Sequence, residues 1–345
     1  MHHSYHDIFN GREGILKTVN INRMENELGF PRRRYKNTEL AIIVPTKDRP
    51  QKIQDLLASI AAQTVSCGRI IVADGGNSVE NIVMSFMDKL PVEYHAVFPP
   101  GQIRQRNKAL SLLDDRTGLV AMFDDDIVLE PNAIEVMIEF WNNCKRETGG
   151  ISFNIINNPP VKHSWLKAFV GMSSPKMGKI LSSGYNVAIS PVQNNIETQW
   201  LCGGATVWKK KILDKYINKE IDSKWAICED VIFSYPIGKI YPLYVCAGAK
   251  VRHEHVYDHA AKRKHWYYGR TITLWRLYFV ESHPELSRIF CIWMISWQIA
   301  ARFVRGLLLL RHQEIQYALG QIEGVVLGLK AIYKDKDLLL LLNEE

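Results

Sequence analysis

Leu119-Val120-Ala121-Met122-Phe123-Asp124-Asp125-Asp126-Ile127 joins five apolar residues to three consecutive carboxylates. A short apolar run that stops abruptly reads as a strand buried on both faces. Three adjacent aspartates at its end repel one another, and partial burial adds to the cost. A divalent cation relieves both penalties, and hard oxygen ligands favour Mg²⁺ or Mn²⁺. Asp124 and Asp126, alternate along the chain, are the pair expected to hold it. A solvated acidic turn capping the next helix is the competing reading.

The same grammar recurs upstream. Leu40–Val44 is an apolar run closed by Pro45, Ile70–Ala73 is closed by Asp74-Gly75-Gly76, and Val92–Phe98 is closed by Pro99-Pro100-Gly101. Segments 50–62, 78–89, 102–113 and 131–144 separate or follow these runs and carry apolar residues at helical spacing, as in Ile53, Leu56, Leu57 and Ile60. Buried strands alternating with helices predict βαβ units in a mainly parallel sheet, with ligands beyond the carboxyl ends of the strands. Thr46, Asp48 and Arg49, then Asp74, then Asp124 and Asp126 occupy three such ends.

Downstream signals are weaker one by one. Glu229-Asp230 offers a carboxylate whose affinity for a proton could be raised by apolar neighbours, as a general base requires; most such pairs are surface or cap residues. Gly101 followed by Gln102-Ile103-Arg104-Gln105-Arg106-Asn107 opens a helix with arginines suited to phosphate or base contacts, or is simply a basic first turn. Trp200 before Gly203 and Gly204 offers a ring to stack on a sugar or a core side chain. His253, in Arg252-His253-Glu254-His255, could complete a metal's coordination or be structural.

The chain of 345 residues has ordinary globular composition, with 47% hydrophobic and 23% charged residues. Its six cysteines are scattered without a CxxC pair, which suits a reducing cytosol better than a disulfide framework. No apolar leader follows Met1-His2-His3. Residues 250–311 hold eleven Lys/Arg against four Asp/Glu, an excess equal to the whole chain's +7, and ten aromatics lie between Trp266 and Phe303. No nucleic-acid motif accompanies this basic region, so nucleic acid is not expected as a partner. Helices are expected over 286–310 and 314–333. Ile289–Ala301 is uncharged but too short to span a bilayer, which suits an interfacial helix on an anionic membrane, or one packed on this chain or on a second subunit.

Taken together, the segments over about 38–260 resemble the family 2 glycosyltransferases, inverting enzymes of the GT-A fold. The resemblance rests on Val44-Pro45-Thr46, Val72-Ala73-Asp74-Gly75-Gly76, Arg106-Asn107, Asp124-Asp125-Asp126 with Pro131, Gly203-Gly204 and Glu229-Asp230, in that order. It implies a Rossmann-like α/β domain over 39–260, with a nucleotide-sugar half at 39–145 and an acceptor half at 146–260. An N-terminal arm (1–38) would precede it, and a helical extension (261–345) would follow. It also implies that Thr46, Arg49, Asp74, Arg106 and Asp124 surround the nucleotide, and that Asp126 and Asp124, with His253, hold Mn²⁺ or Mg²⁺. Asp230 would be the base with Glu229 beside it, while Trp200, Gly203 and Gly204 face the acceptor. The donor is expected to be a UDP-sugar and the acceptor a saccharide or lipid-linked glycan, as in bacterial surface polysaccharide or glycolipid assembly. That chemistry fits a cytoplasmic chain, or one peripheral on the inner face of the plasma membrane through 262–311; a homo-oligomer is also compatible.

Three departures stand out: Ala73 where an aspartate is frequent, Gly76 where a serine is frequent, and Gln298-Ile299-Ala300-Ala301-Arg302-Phe303, one residue too long for the Gln-x-x-Arg-Trp of processive synthases. Two rivals remain: a haloacid-dehalogenase-type phosphatase using Asp124-Asp125-Asp126-Ile127-Val128, and a non-catalytic protein that binds sugar nucleotides.

Overall fold

The structure is a computed structural model that describes residues 34–220, 228–254 and 262–342. Most of the expected N-terminal arm, and His255, lie outside these residues.

Strands β1 (Leu40–Thr46), β2 (Arg69–Asp74), β3 (Val92–Ala96) and β4 (Leu119–Phe123) are all parallel, in the spatial order β3-β2-β1-β4. Their crossovers carry α1 (Pro50–Ala61), α2 (Glu80–Met84) and α3 (Gln102–Ser111). The continuous apolar runs arise because both faces of the sheet are covered. Ile42, Val44, Ile70 and Val72 enter one core with Leu56 and Leu57 of α1, while Ile43, Ile71 and Ala73 enter the opposite core with Ala109 of α3. The expected elements are present, with trimmed ends. β3 stops at Ala96 and leaves Phe98 exposed, and α2 is a five-residue helix that buries only Val83.

The second half explains why its sequence looked irregular. β5 (Ile127–Leu129), α4 (Ala133–Asn143), β6 (Gly150–Ile155), α5 (Trp165–Phe169), β7 (Ile196–Thr198), β8 (Ala205–Lys209), α6 (Lys210–Lys215), α7 (Glu229–Gly238) and β9 (Leu243–His253) follow in order. β8 runs antiparallel between β4 and β6, and β9 is parallel to β6 but antiparallel to β5 and β7. Short buried strands with long loops between them lack a clean period. Two of these pairings bear on the site. Ile127 opposes His253, so the β5–β9 ladder draws a residue far along the chain to the carboxylates. Phe123 opposes Ala205, and Asp124 donates its N–H to the Gly204 carbonyl at 2.9 Å.

The chain ends in α8 (Lys262–Glu281), α9 (Arg288–Leu308) and α10 (His312–Tyr333). The Ser287 hydroxyl accepts the Phe290 N–H and starts α9 two residues later than its apolar pattern suggests. α8 and α10 meet backbone to backbone at Gly320 and Gly324, and Gly328, four residues further along the same face of α10, packs on the Leu277 and Leu274 side chains. A methyl group on Gly320 would lie 1.9 Å from the Trp266 carbonyl oxygen. Leu277, Val280, Cys291, Met294 and Ala331 close the core between the three helices. Phe279 of α8 stacks edge-on against Tyr235 of α7 at 5.5 Å, binding this layer to the sheet domain.

Candidate active site

The loop after β1 is ion-paired to the aspartates. Thr46 donates its hydroxyl to Asp125 Oδ2 at 2.7 Å, while Arg49 pairs with Asp125 Oδ1 and reaches Asp126 Oδ2 at 3.0 Å. Burial raises the Asp125 carboxyl to about 6, against the pull of Thr46 and Arg49. Burial also acts on Asp126, but His253 and Arg49 outweigh it and hold that carboxyl at about 2. Asp48 adopts a left-handed φ of 54° and packs on Gly76, where a side chain would begin 2.3 Å from Asp48 Oδ1. That close approach gives a physical reason for glycine at 76.

Asp126 Oδ1 lies 2.8 Å from His253 Nε2, and donor atoms of Asp124, Asp126 and His253 all lie within 4.8 Å of one another. Two carboxylates and an imidazole, oxygen donors with one borderline nitrogen, fit Mn²⁺ or Mg²⁺. His253 is fixed by Asn157, whose amide accepts the His253 N–H at 2.9 Å and donates to its carbonyl at 3.0 Å.

Arg106 connects the two acidic motifs. Buried at the start of α3, its guanidinium is 2.6 Å from Asp124 Oδ1 and also pairs with Glu229, 123 residues away. Gln102 adds a hydrogen bond to Asp124 Oδ1 at 2.8 Å. Between the motifs runs Gly203-Gly204. A Cβ on Gly203 would meet Asp230 Cβ at 3.1 Å, and one on Gly204 would meet Asp124 Oδ2 at 2.6 Å and His253 Cε1 at 3.5 Å. One peptide unit thus separates Asp230 from the metal-competent cluster. Arg106, Asn107, Gly203, Glu229 and Asp230 line a common cleft. Burial, opposed by Arg106 and aided by the charges of Asp124 and Asp230, raises Glu229 to about 7. Burial raises Asp230 as well, against hydrogen bonds from the Val231 and Gly203 backbone. Arg106 Nε, Asn107 Oδ1 and Glu229 Oε2 are buried without hydrogen-bond partners among the described residues, unpaired polar groups in a cleft whose other walls, from Leu110, Met122 and Phe233, are apolar.

Two further expected residues are buried. Trp200 is buried with Ile180, Val231, Tyr235 and Phe279, and its indole N–H donates to the Val187 carbonyl. The ring has no open face for a sugar in this structure; apolar packing claimed it. Asp74 is fully buried and accepts from the Gly76 N–H at 2.8 Å and the Tyr94 hydroxyl at 3.2 Å. Gln105, Tyr94 and Asn157 escaped the sequence reading. Gln105 donates to the Thr46 and Ala73 carbonyls at 2.7 and 2.6 Å, tying the ends of β1 and β2 to α3. Its place in the first helical turn after Gly101 was the available signal.

Residues 41–189 match the sequence profile of glycosyl transferase family 2. They are a family 2 glycosyltransferase domain. The mannosyltransferase PcManGT from Pyrobaculum calidifontis, solved in complex with GDP-Man and Mn²⁺, is 12% identical with a TM-score of 0.53 over 90% of this chain and 94% of that one. S. aureus TarS is 14% identical, with a TM-score of 0.47 over 82% of this chain; the chain spans about half (54%) of TarS. TarS 1–349 in complex with UDP-GlcNAc gives 15% and 0.45, covering 86% and 92%. No curated protein sequence matches the chain. The glycosyltransferase domain has the GT-A architecture, a mixed α/β sheet flanked by helices with a helical C-terminal region. Three strand–helix units precede the aspartates, and Asp124 is engaged by Arg106 and Gln102. Neither feature suits a phosphatase nucleophile.

Proposed function

We propose that the chain transfers one or a few sugars from a nucleoside-diphosphate sugar to an acceptor hydroxyl, with inversion at the anomeric carbon. The single observation behind this reading is the Arg106 bridge from Asp124 to Glu229, with Gly203-Gly204 spanning from Asp230 to Asp124 and His253. With the candidate base one peptide unit from a cation-competent cluster, this arrangement supports the reading. Asp126 and His253, with Asp124, would hold a divalent cation that offsets charge on the departing nucleoside diphosphate. Thr46, Arg49, Arg106 and the ordered end of β2 at Asp74 would frame the nucleotide. Asp230, raised by burial, would accept the proton of the acceptor hydroxyl as that oxygen attacks the anomeric carbon. The departing diphosphate carries away the bonding pair. A UDP-sugar is the donor to test first, with GDP-sugars second, and a lipid-linked glycan at an anionic membrane surface is the acceptor class that suits a basic C-terminal region.

Asp230→Asn should lower transfer by about 10²–10⁴-fold, the usual weight of a general base. It should keep the thermal stabilisation given by the matching nucleoside diphosphate with Mn²⁺. Parental turnover in that variant would refute the assignment. Nucleotide-dependent stabilisation with neither donor hydrolysis nor transfer, in Mn²⁺ or Mg²⁺, would favour the non-catalytic protein that binds sugar nucleotides.

A further inference from the structure

A surface helix normally turns its apolar stripe inward, but α9 is apolar on both sides. Cys291, Met294 and Ile295 face the helical core. Outward stand Ile289 (82% exposed), Trp293, Trp297, Val304, Leu307 and Leu308 (77%), followed by exposed Leu309 and Leu310. This solvent side carries no charge from Ile289 to Val304. The face does not end at the helix. Phe169 of α5 meets the Trp293 ring edge-on at 6.0 Å, and Trp165 and Leu166 beside it are 78% and 60% exposed. Two elements more than a hundred residues apart thus share one aromatic-rich surface, well beyond the scatter of single exposed apolar residues.

The charges around it have one sign. Residues 159–176 hold Lys162, Lys167 and Lys176 and no carboxylate; residues 288–311 hold Arg288, Arg302, Arg305 and Arg311 and no carboxylate. Arg288 is paired to Glu281, and Arg302 and Arg305 to Glu314, from neighbouring helices. The three lysines and Arg311 have no ion pair among the described residues. Two copies meeting through this surface would bring like charges together with no acid to receive them. Anionic headgroups supply the missing complement, and tryptophans settle at the headgroup level. No described helix is long and apolar enough to cross a bilayer.

We infer that α5 and the outward face of α9 form one docking surface for an anionic bilayer, lying in the headgroup region. This deepens the membrane-side reading of the acceptor but moves the contact. Within 262–311, Trp275 and Phe279 of α8 are core residues, 1% exposed each, and α5 lies outside that range altogether.

The test is flotation of the full chain with vesicles of equal parts phosphatidylcholine and phosphatidylglycerol, and with phosphatidylcholine alone. The chain should float with the former, less so as salt is raised, and poorly with the latter. Trp165→Ser/Phe169→Ser and Trp293→Ser/Trp297→Ser should each weaken binding about tenfold or more. Lys162→Glu/Lys167→Glu, on exposed positions that no fold contact needs, should do so through charge alone. Parental flotation in all three variants overturns the surface. Equal flotation on neutral vesicles overturns the anionic commitment. A solution dimer that the aromatic substitutions dissolve, with vesicles unbound, overturns it in favour of a second copy. Nucleotide-dependent thermal stabilisation, measured without vesicles on the same variants, reads the transferase chemistry separately: its absence throughout counts against that chemistry and leaves the flotation result standing.

Discussion

Arg106 and Glu229 carry the site's balance of charge. Glu229 binds its proton more tightly folded, at about 7, than its ordinary 4.5, because burial penalises the carboxylate more than Arg106 favours it. The stability it contributes is therefore present in full below about 4.5 and lost as pH rises through about 7. Glu229→Gln should flatten that decline in urea-unfolding free energy across the window; an identical pH slope in the variant would show that the proton sits elsewhere. At this scale the sequence was legible where a residue's meaning lay beside it. Asp124 and Asp126 follow a buried strand and announced themselves. Asn157 did not, because its partner His253 lies 96 residues away and only the β6–β9 ladder brings them together. Trp200 was ambiguous for the opposite reason: a large ring before two glycines serves a sugar or a core equally well, and the helix behind it decided.

Among the elements, the glycine row of α10 makes the sharpest claim. In an isolated helix, glycine to alanine is favourable by about 1 kcal/mol. Here the added methyl meets backbone that cannot step aside: the Trp266 carbonyl oxygen at 1.9 Å from position 320 and the Arg270 carbonyl oxygen at 2.7 Å from position 324. Gly320→Ala should destabilise by about 1–3 kcal/mol, the ordinary penalty of overpacking, and Gly324→Ala by less. At Gly328 the nearest atom is a Leu277 methyl at 2.4 Å, which can rotate away, so the loss should be smallest. Thermal melts of the three variants in that order would check it, and a stabilised Gly320→Ala would refute the close packing. The four parallel strands were readable as apolar runs. β7 and β8 were not, since β7 holds only three residues and β8 buries Thr206 and Lys209, polar side chains that interrupt an apolar run.

For the whole molecule, the C-terminal helices are part of the folded unit. Phe279 stacks on Tyr235, Val231 of the helix bearing Asp230 shares its cluster, and Arg276 donates to the Gly184 carbonyl and reaches Asn186 at 3.0 Å. Deleting residues 286–345 would uncover Leu277, Val280, Leu274 and Trp275 at once. A truncated chain should therefore lose its cooperative melt together with nucleotide-dependent stabilisation; a sharp transition near the parental temperature would mean the layer is dispensable. The helical character of this third was plain from its pattern. Its attachment was not, because aromatics at helical spacing read the same whether they face a sheet domain, a second chain or a membrane.

The glycine pair at 203 and 204 has a practical corollary for altering substrate choice by protein engineering. A library that varies these two positions would wedge apart Asp230 and Asp124 before it reshaped any contact with substrate. Asn107 and Asn218, on the wall of the same cleft, make no hydrogen bond to Asp124 or Asp230 among the described residues and are the better places to begin.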